Sequence, residues 1–62
     1  MTPSEISTAR QRLGLTQAEL ARVLGYRSAM AISNLERGTK NIGPAAARLL
    51  RAYLDGYRPP DW

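Results

Sequence analysis

The sequence predicts an all-α domain of four helices, and three observations carry that prediction. Thr2 and Thr16 each stand three residues before a glutamate, Glu5 and Glu19. In that spacing a threonine hydroxyl and a glutamate carboxylate each bond the other's backbone N–H at a helix start. A glycine follows each apolar stripe, at Gly14, Gly25, Gly38 and Gly56, the residue that most often ends a helix. Nowhere do apolar and polar residues alternate as a half-buried strand requires.

The elements follow in order. The first helix opens with Thr2 as cap and Pro3 at the first helical position, where its missing N–H costs nothing. Ile6, Ala9 and Leu13 form its inward stripe. The second helix opens at Thr16, turns Leu20, Ala21 and Leu24 inward with help from Val23, and ends at Gly25. About one turn of chain leads to Ser28, a good cap for a third helix that runs to about Arg37 and stops at Gly38. After the loop Thr39–Ile42, Pro44 opens a fourth helix that runs to about Leu54, with Ala46, Leu49, Leu50 and Tyr53 as its buried side. Pro59 and Pro60 exclude a helix in the tail. The chain therefore divides into a helical domain, residues 1–56, and a proline- and aromatic-rich tail, residues 57–62.

At 62 residues there is room for one core, worth on the order of 3–5 kcal/mol. A hydrophobic content of 44% excludes disorder by composition. There is no cysteine and no histidine, which removes disulfides, thiolate metal sites and the commonest general base. Glu5 and Glu19 have capping roles, and a serine without a base is no nucleophile. The expectation is a protein that is not an enzyme and uses no metal and no cofactor. No apolar run approaches the roughly 20 residues of a membrane helix, and the start lacks the charged and apolar regions of a signal peptide. A cytoplasmic protein, nucleoid-associated when bound, is expected.

The net charge is +4, and its placement carries more information than its size. Between Leu20 and Leu54 stand Arg22, Arg27, Arg37, Lys40, Arg48 and Arg51, with Glu36 as the only acid. A positive field over the middle of the chain suits a polyanion, although a solvated basic surface is also common.

The third helix divides into two faces. At about 100° per residue, Ser28, Ala31, Ile32 and Leu35 share one side, and Met30, Ser33, Asn34 and Arg37 the other. The first is a core face. The second is short, mostly polar and free of carboxylates. Serine and asparagine can approach base edges, asparagine can bond adenine through two hydrogen bonds, and a methionine can meet a thymine methyl. The tight glycine-led turn before this helix, with small Ala21 and Ala31 at the crossing, fits a helix-turn-helix.

Thr16-Gln17-Ala18-Glu19-Leu20-Ala21, then Gly25, then Ile32-Ser33-Asn34-Leu35-Glu36-Arg37-Gly38, resemble the lambda-repressor/Cro-like helix-turn-helix family, also called the xenobiotic-response-element family. The resemblance covers roughly Ile6 to Leu54. It implies a double-stranded DNA partner, with the helix of about residues 28–37 in the major groove. It places Ala29, Met30, Ser33 and Asn34 at base-reading positions. It places Gln17, Arg37, Thr39, Lys40 and Asn41 at the DNA backbone, Gln17 also as a brace for the recognition helix. The start of the fourth helix, Gly43 to Ala45, is a further phosphate-binding position. Arg10 and Glu36 match a pair that bridges the first and third helices of family members. The stretch from Gly25 to Ile32 is one residue longer than in the commonest members. The extra residue falls within Tyr26-Arg27-Ser28 and brings these three toward the DNA backbone or tilts the recognition helix. The family's usual fifth helix is replaced by the tail.

Three of the four aromatics, Tyr53, Tyr57 and Trp62, lie within ten residues of the C-terminal end. They fold over the chain's own core, on the first and fourth helices, or form the seam of a homodimer on a palindromic site, or do both. The function expected is that of a DNA-binding repressor or autoregulator. The rival is a protein-interaction module with a partner protein, such as the antitoxin half of a toxin pair, since a fold alone does not give function. Large apolar anchors or acids on the outer face of the third helix would favour that rival. RNA is a weaker option, because no aromatic stacking platform is evident.

Overall fold

A computed structural model describes the whole chain, residues 1–62. It has four helices and no strand: α1 (Pro3–Arg12), α2 (Gln17–Leu24), α3 (Ala29–Arg37) and α4 (Pro44–Leu54). Both capping boxes form as the spacing requires. The Thr2 hydroxyl accepts from the Glu5 N–H at 3.1 Å, and the Glu5 carboxylate accepts from the Thr2 N–H at 2.7 Å. Thr16 and Glu19 repeat the exchange at 3.1 and 2.8 Å. These bonds favour the ionised acids and hold both carboxyls below the usual glutamate range. Gly25 and Gly38 close α2 and α3 in the left-handed region, at φ 85° and 81°, where a side chain would be strained.

The core is one cluster drawn from every helix. Ile6 and Ala9 of α1, Leu20 and Ala21 of α2, Ile32 and Leu35 of α3 and Leu50 of α4 are buried together. Each large aliphatic side chain among them contributes roughly 1.5–3 kcal/mol by burial. α3 packs against both α2 and α1, its contact with α2 being the most extensive between any two helices. The helix with the outward polar face is thus anchored along its opposite side by Ile32, fully buried, and Leu35.

Several expectations need correction. Ser28 occupies the cap position of α3, but its hydroxyl makes no capping bond. It is exposed and does not join the core face. On α4, Ala47 is buried in place of Ala46 and Leu49, which are half-buried. Leu13 and Leu24 lie half-buried against the core.

The tail folds back on α2 and α4, where α1 and α4 were expected. Tyr53 is the anchor. Its ring is buried, and its hydroxyl donates to the Val23 carbonyl of α2 at 2.6 Å. Burial raises its pKa above the ordinary tyrosine value, so the O–H stays a donor. Tyr57 stacks on Tyr53 with ring centroids 5.8 Å apart, and Trp62 meets it edge-on at 4.7 Å. The Arg58 guanidinium lies 4.4 Å over the Trp62 ring and donates to the Tyr53 carbonyl. Arg22 of α2 donates to the carbonyls of Asp61 and Trp62, each at 3.1 Å.

Candidate nucleic-acid interface

Three polar side chains tie α1, α2 and α3 into one unit. Arg10 of α1 donates to Glu36 of α3 through Nε at 2.6 Å and Nη2 at 3.2 Å. Its Nη1 donates to the Leu15 carbonyl at 3.0 Å, in the turn before α2. Gln17 of α2 reaches the same carboxylate at 3.4 Å. The side chains of Arg10 and Glu36 are only 18% and 12% exposed, so the two-pronged pair is shielded from salt as a surface pair is not. Arg10 holds the Glu36 carboxyl below its ordinary range, and Glu36 raises the Arg10 guanidinium in turn. The only acid between Leu20 and Leu54 is therefore neutralised by an internal partner. Within the structure, Gln17 acts as a brace on α3.

The outer face of α3 is open. Met30 is 60% exposed, the most exposed large apolar side chain of the molecule. Ala29, Ser33 and Asn34 are half-buried, and Arg37 is exposed. Arg37 does not extend away into solvent. Its Nη2 donates to Asn34 Oδ1 at 2.6 Å and lies 4.0 Å from the Met30 sulfur. The Thr39 hydroxyl sits 3.3 Å from the same Oδ1 and 3.2 Å from the Asn34 backbone carbonyl. That carbonyl also accepts the N–H groups of Thr39 and Lys40. Asn34 is thus both a surface residue and the point where the end of α3 is tied to the following loop.

The other expected backbone contacts divide. Arg27 and Ser28 before α3, and Thr39, Lys40 and Asn41 after it, are exposed around its two ends. Tyr26 leans on the core and is half-buried. One arginine counted toward the positive field serves elsewhere: Arg22 is tied to the tail. That use was not visible in the sequence, since it depends on how α2 and the tail come together. Two surface clefts exist. One runs between α1 and the end of α4 and the other beneath the tail, and neither includes α3. No group of three or more His, Cys, Asp or Glu side chains could hold a metal ion. No helix is long and apolar enough to cross a membrane.

A helix-turn-helix family model matches residues 6–62, tail included. No curated protein and no solved structure matches the chain. The match runs over the capped α2, the short Gly25–Ser28 turn and the anchored α3 described above. It is a family of DNA-binding proteins and not of enzymes. The chain belongs to the lambda-repressor/Cro-like helix-turn-helix family of DNA-binding transcription regulators.

Proposed function

We propose that this regulator is a sequence-specific repressor or autoregulator that binds double-stranded operator DNA as a homodimer, with α3 in the major groove. The observation that carries the reading is the outer face of α3. It offers Met30, Ser33, Asn34 and Arg37 with no carboxylate among them, between the exposed bases Arg27 and Lys40. A helix with its side chains is about 10–12 Å across, which a major groove about 12 Å wide admits. Ala29, Met30, Ser33 and Asn34 face base edges. Arg27, Ser28, Thr39, Lys40 and Asn41 dock on phosphates, with Gln17 and Tyr26 nearer the protein. Repression follows from occupancy: a protein held on an operator excludes others from it. Such a protein works in the cytoplasm, on the nucleoid.

Residues 1–56 are the reading domain, and 57–62 the tail that closes over it. Tyr53 and Trp62 are engaged inside that fold, whereas Tyr57 is 51% exposed. Tyr57 is thus the aromatic best placed to meet a second copy. A two-fold pair would put its recognition helices one DNA turn apart, about 34–36 Å.

Selection of bound duplexes from a random pool at physiological salt tests the reading. The expected product is a palindromic motif with half-sites one turn apart. Recovery of sequences no different from the input would refute sequence-specific binding. Tyr57→Ala should weaken binding to the full palindrome more than to a half-site. Equal losses on both would refute the dimer.

A further inference from the structure

Arg37 and Asn34 are joined before any DNA arrives, and the joint restricts what this face can read. The inference rests on the proposed reading that α3 enters the major groove. Arginine has only N–H donors, so the Asn34 amide must turn its oxygen, not its nitrogen, toward Arg37. That oxygen accepts from Arg37 Nη2 at 2.6 Å and has the Thr39 hydroxyl at 3.3 Å. An amide oxygen has two lone pairs; one accepts from Arg37, and the other faces the single Thr39 proton, which that hydroxyl shares with the Asn34 backbone carbonyl. Two-pronged recognition of adenine needs that oxygen free to accept from N6 while Nδ2 donates to N7. With Oδ1 turned to Arg37 and Thr39, the open end of the amide is Nδ2, which can only donate.

The guanidinium is in the complementary condition. Its Nη2 is held on Asn34 and against Met30. Its Nε and Nη1 have no protein partner, and no acid is at hand to neutralise it. Nη2 carries two hydrogens and gives one to Asn34; the other has only the weak Met30 sulfur at 4.0 Å, so one two-pronged edge, Nη2 with Nη1 or with Nε, can still meet the paired acceptors O6 and N7 of guanine. The bond to Asn34 also removes much of the rotational freedom that an unattached arginine would lose on binding.

We infer that Arg37 and Asn34 form one guanine-reading unit, in which Arg37 contacts the base, Asn34 orients the guanidinium and Thr39 holds Asn34. This replaces two sequence-based expectations, an adenine-reading Asn34 and a phosphate-binding Arg37.

The test uses the full chain and the duplex recovered from a random pool. Affinities are measured for that duplex and for versions in which each G·C pair becomes A·T or each guanine becomes 7-deazaguanine, which lacks the N7 acceptor. One guanine per half-site should prove critical, its replacement weakening wild-type binding on the order of 10- to 100-fold. Arg37→Lys should reduce that penalty to a few-fold. Asn34→Ala and Thr39→Val should reduce it in part, leaving helicity near wild type. A guanine penalty that survives Arg37→Lys would overturn the inference, as would a selected adenine whose preference depends on Asn34. So would an Arg37→Lys loss that is uniform over all duplexes. In each of these outcomes α3 remains a DNA reader. If no sequence is enriched, the groove-reading proposal fails and takes this inference with it.

Discussion

The two faces of α3 are made by different means. The inner face is fixed by burial and by one shielded ion pair: Ile32 and Leu35 sit in the core, and Glu36 is gripped by Arg10 and braced by Gln17. The outer face is ordered by contacts among its own side chains, with Arg37 lying on Asn34 and Met30. The difference separates two kinds of specificity. The inner face determines where the helix points, and the outer face determines which atoms it offers.

The comparison breaks most sharply at Ile32. Ile32→Ala removes a fully buried side chain from the middle of the core and should cost about 2–5 kcal/mol. That rivals the whole stability expected of so small a domain, so the chain should be largely unfolded by circular dichroism at room temperature. Met30→Ala, two residues away on the outer face, should change stability by less than about 0.5 kcal/mol.

Next in size is the ion pair. Arg10→Ala leaves Glu36, mostly shielded in the native chain, without its main partner. The full penalty for a buried charge is about 3–5 kcal/mol; with solvent still reaching the pair, roughly 1–3 kcal/mol is expected in denaturant titration. The pair also predicts a pH dependence. The folded-state pKa of Glu36 lies below the ordinary value of 4.5, so its contribution is complete above pH 4.5. It fades as pH falls below 4.5 through the lowered folded value. Arg10→Ala should flatten this part of the acid limb. An unchanged limb would mean the pair contributes nothing to stability.

Two smaller effects sharpen the contrast. Thr16→Ala opens the capping box next to Gln17 and should cost about 1 kcal/mol, read from the denaturation midpoint. Lys40→Ala touches no internal contact and should leave stability unchanged while lowering the salt dependence of DNA binding by about one phosphate's worth, a slope change near 0.9. An unchanged slope would make Lys40 a solvated charge.

How far the sequence could be read follows the same division. Both Thr-x-x-Glu boxes, the four helices and the Arg10–Glu36 pair were legible, because capping is local and the pair lies on matched motif positions. Whether Ser28 would use its hydroxyl was not, since any residue with extended backbone can occupy a cap position. Ala47 displaced Ala46 and Leu49 in the core because the crossing of α4 over the other helices sets the buried stripe, and periodicity alone leaves its phase free. The aromatic tail was read as packing on its own core or as a dimer seam, and Arg22, which ties it to α2, was read only as a free charge. The Arg37–Asn34 bond was invisible because residue types do not specify rotamers. Each residue looked like an independent reader until their side chains were seen together.

The central claim is that the outer face of α3 meets DNA. Backbone amide shifts of the labelled chain, recorded with and without the duplex recovered from a random pool, test it most directly. The account predicts the largest changes at Met30, Ser33, Asn34 and Arg37 and through Thr39–Asn41, with little change along the cleft lined by Ser4, Thr8 and Arg12. Changes concentrated at Tyr57 and Trp62, with α3 unmoved, would contradict it.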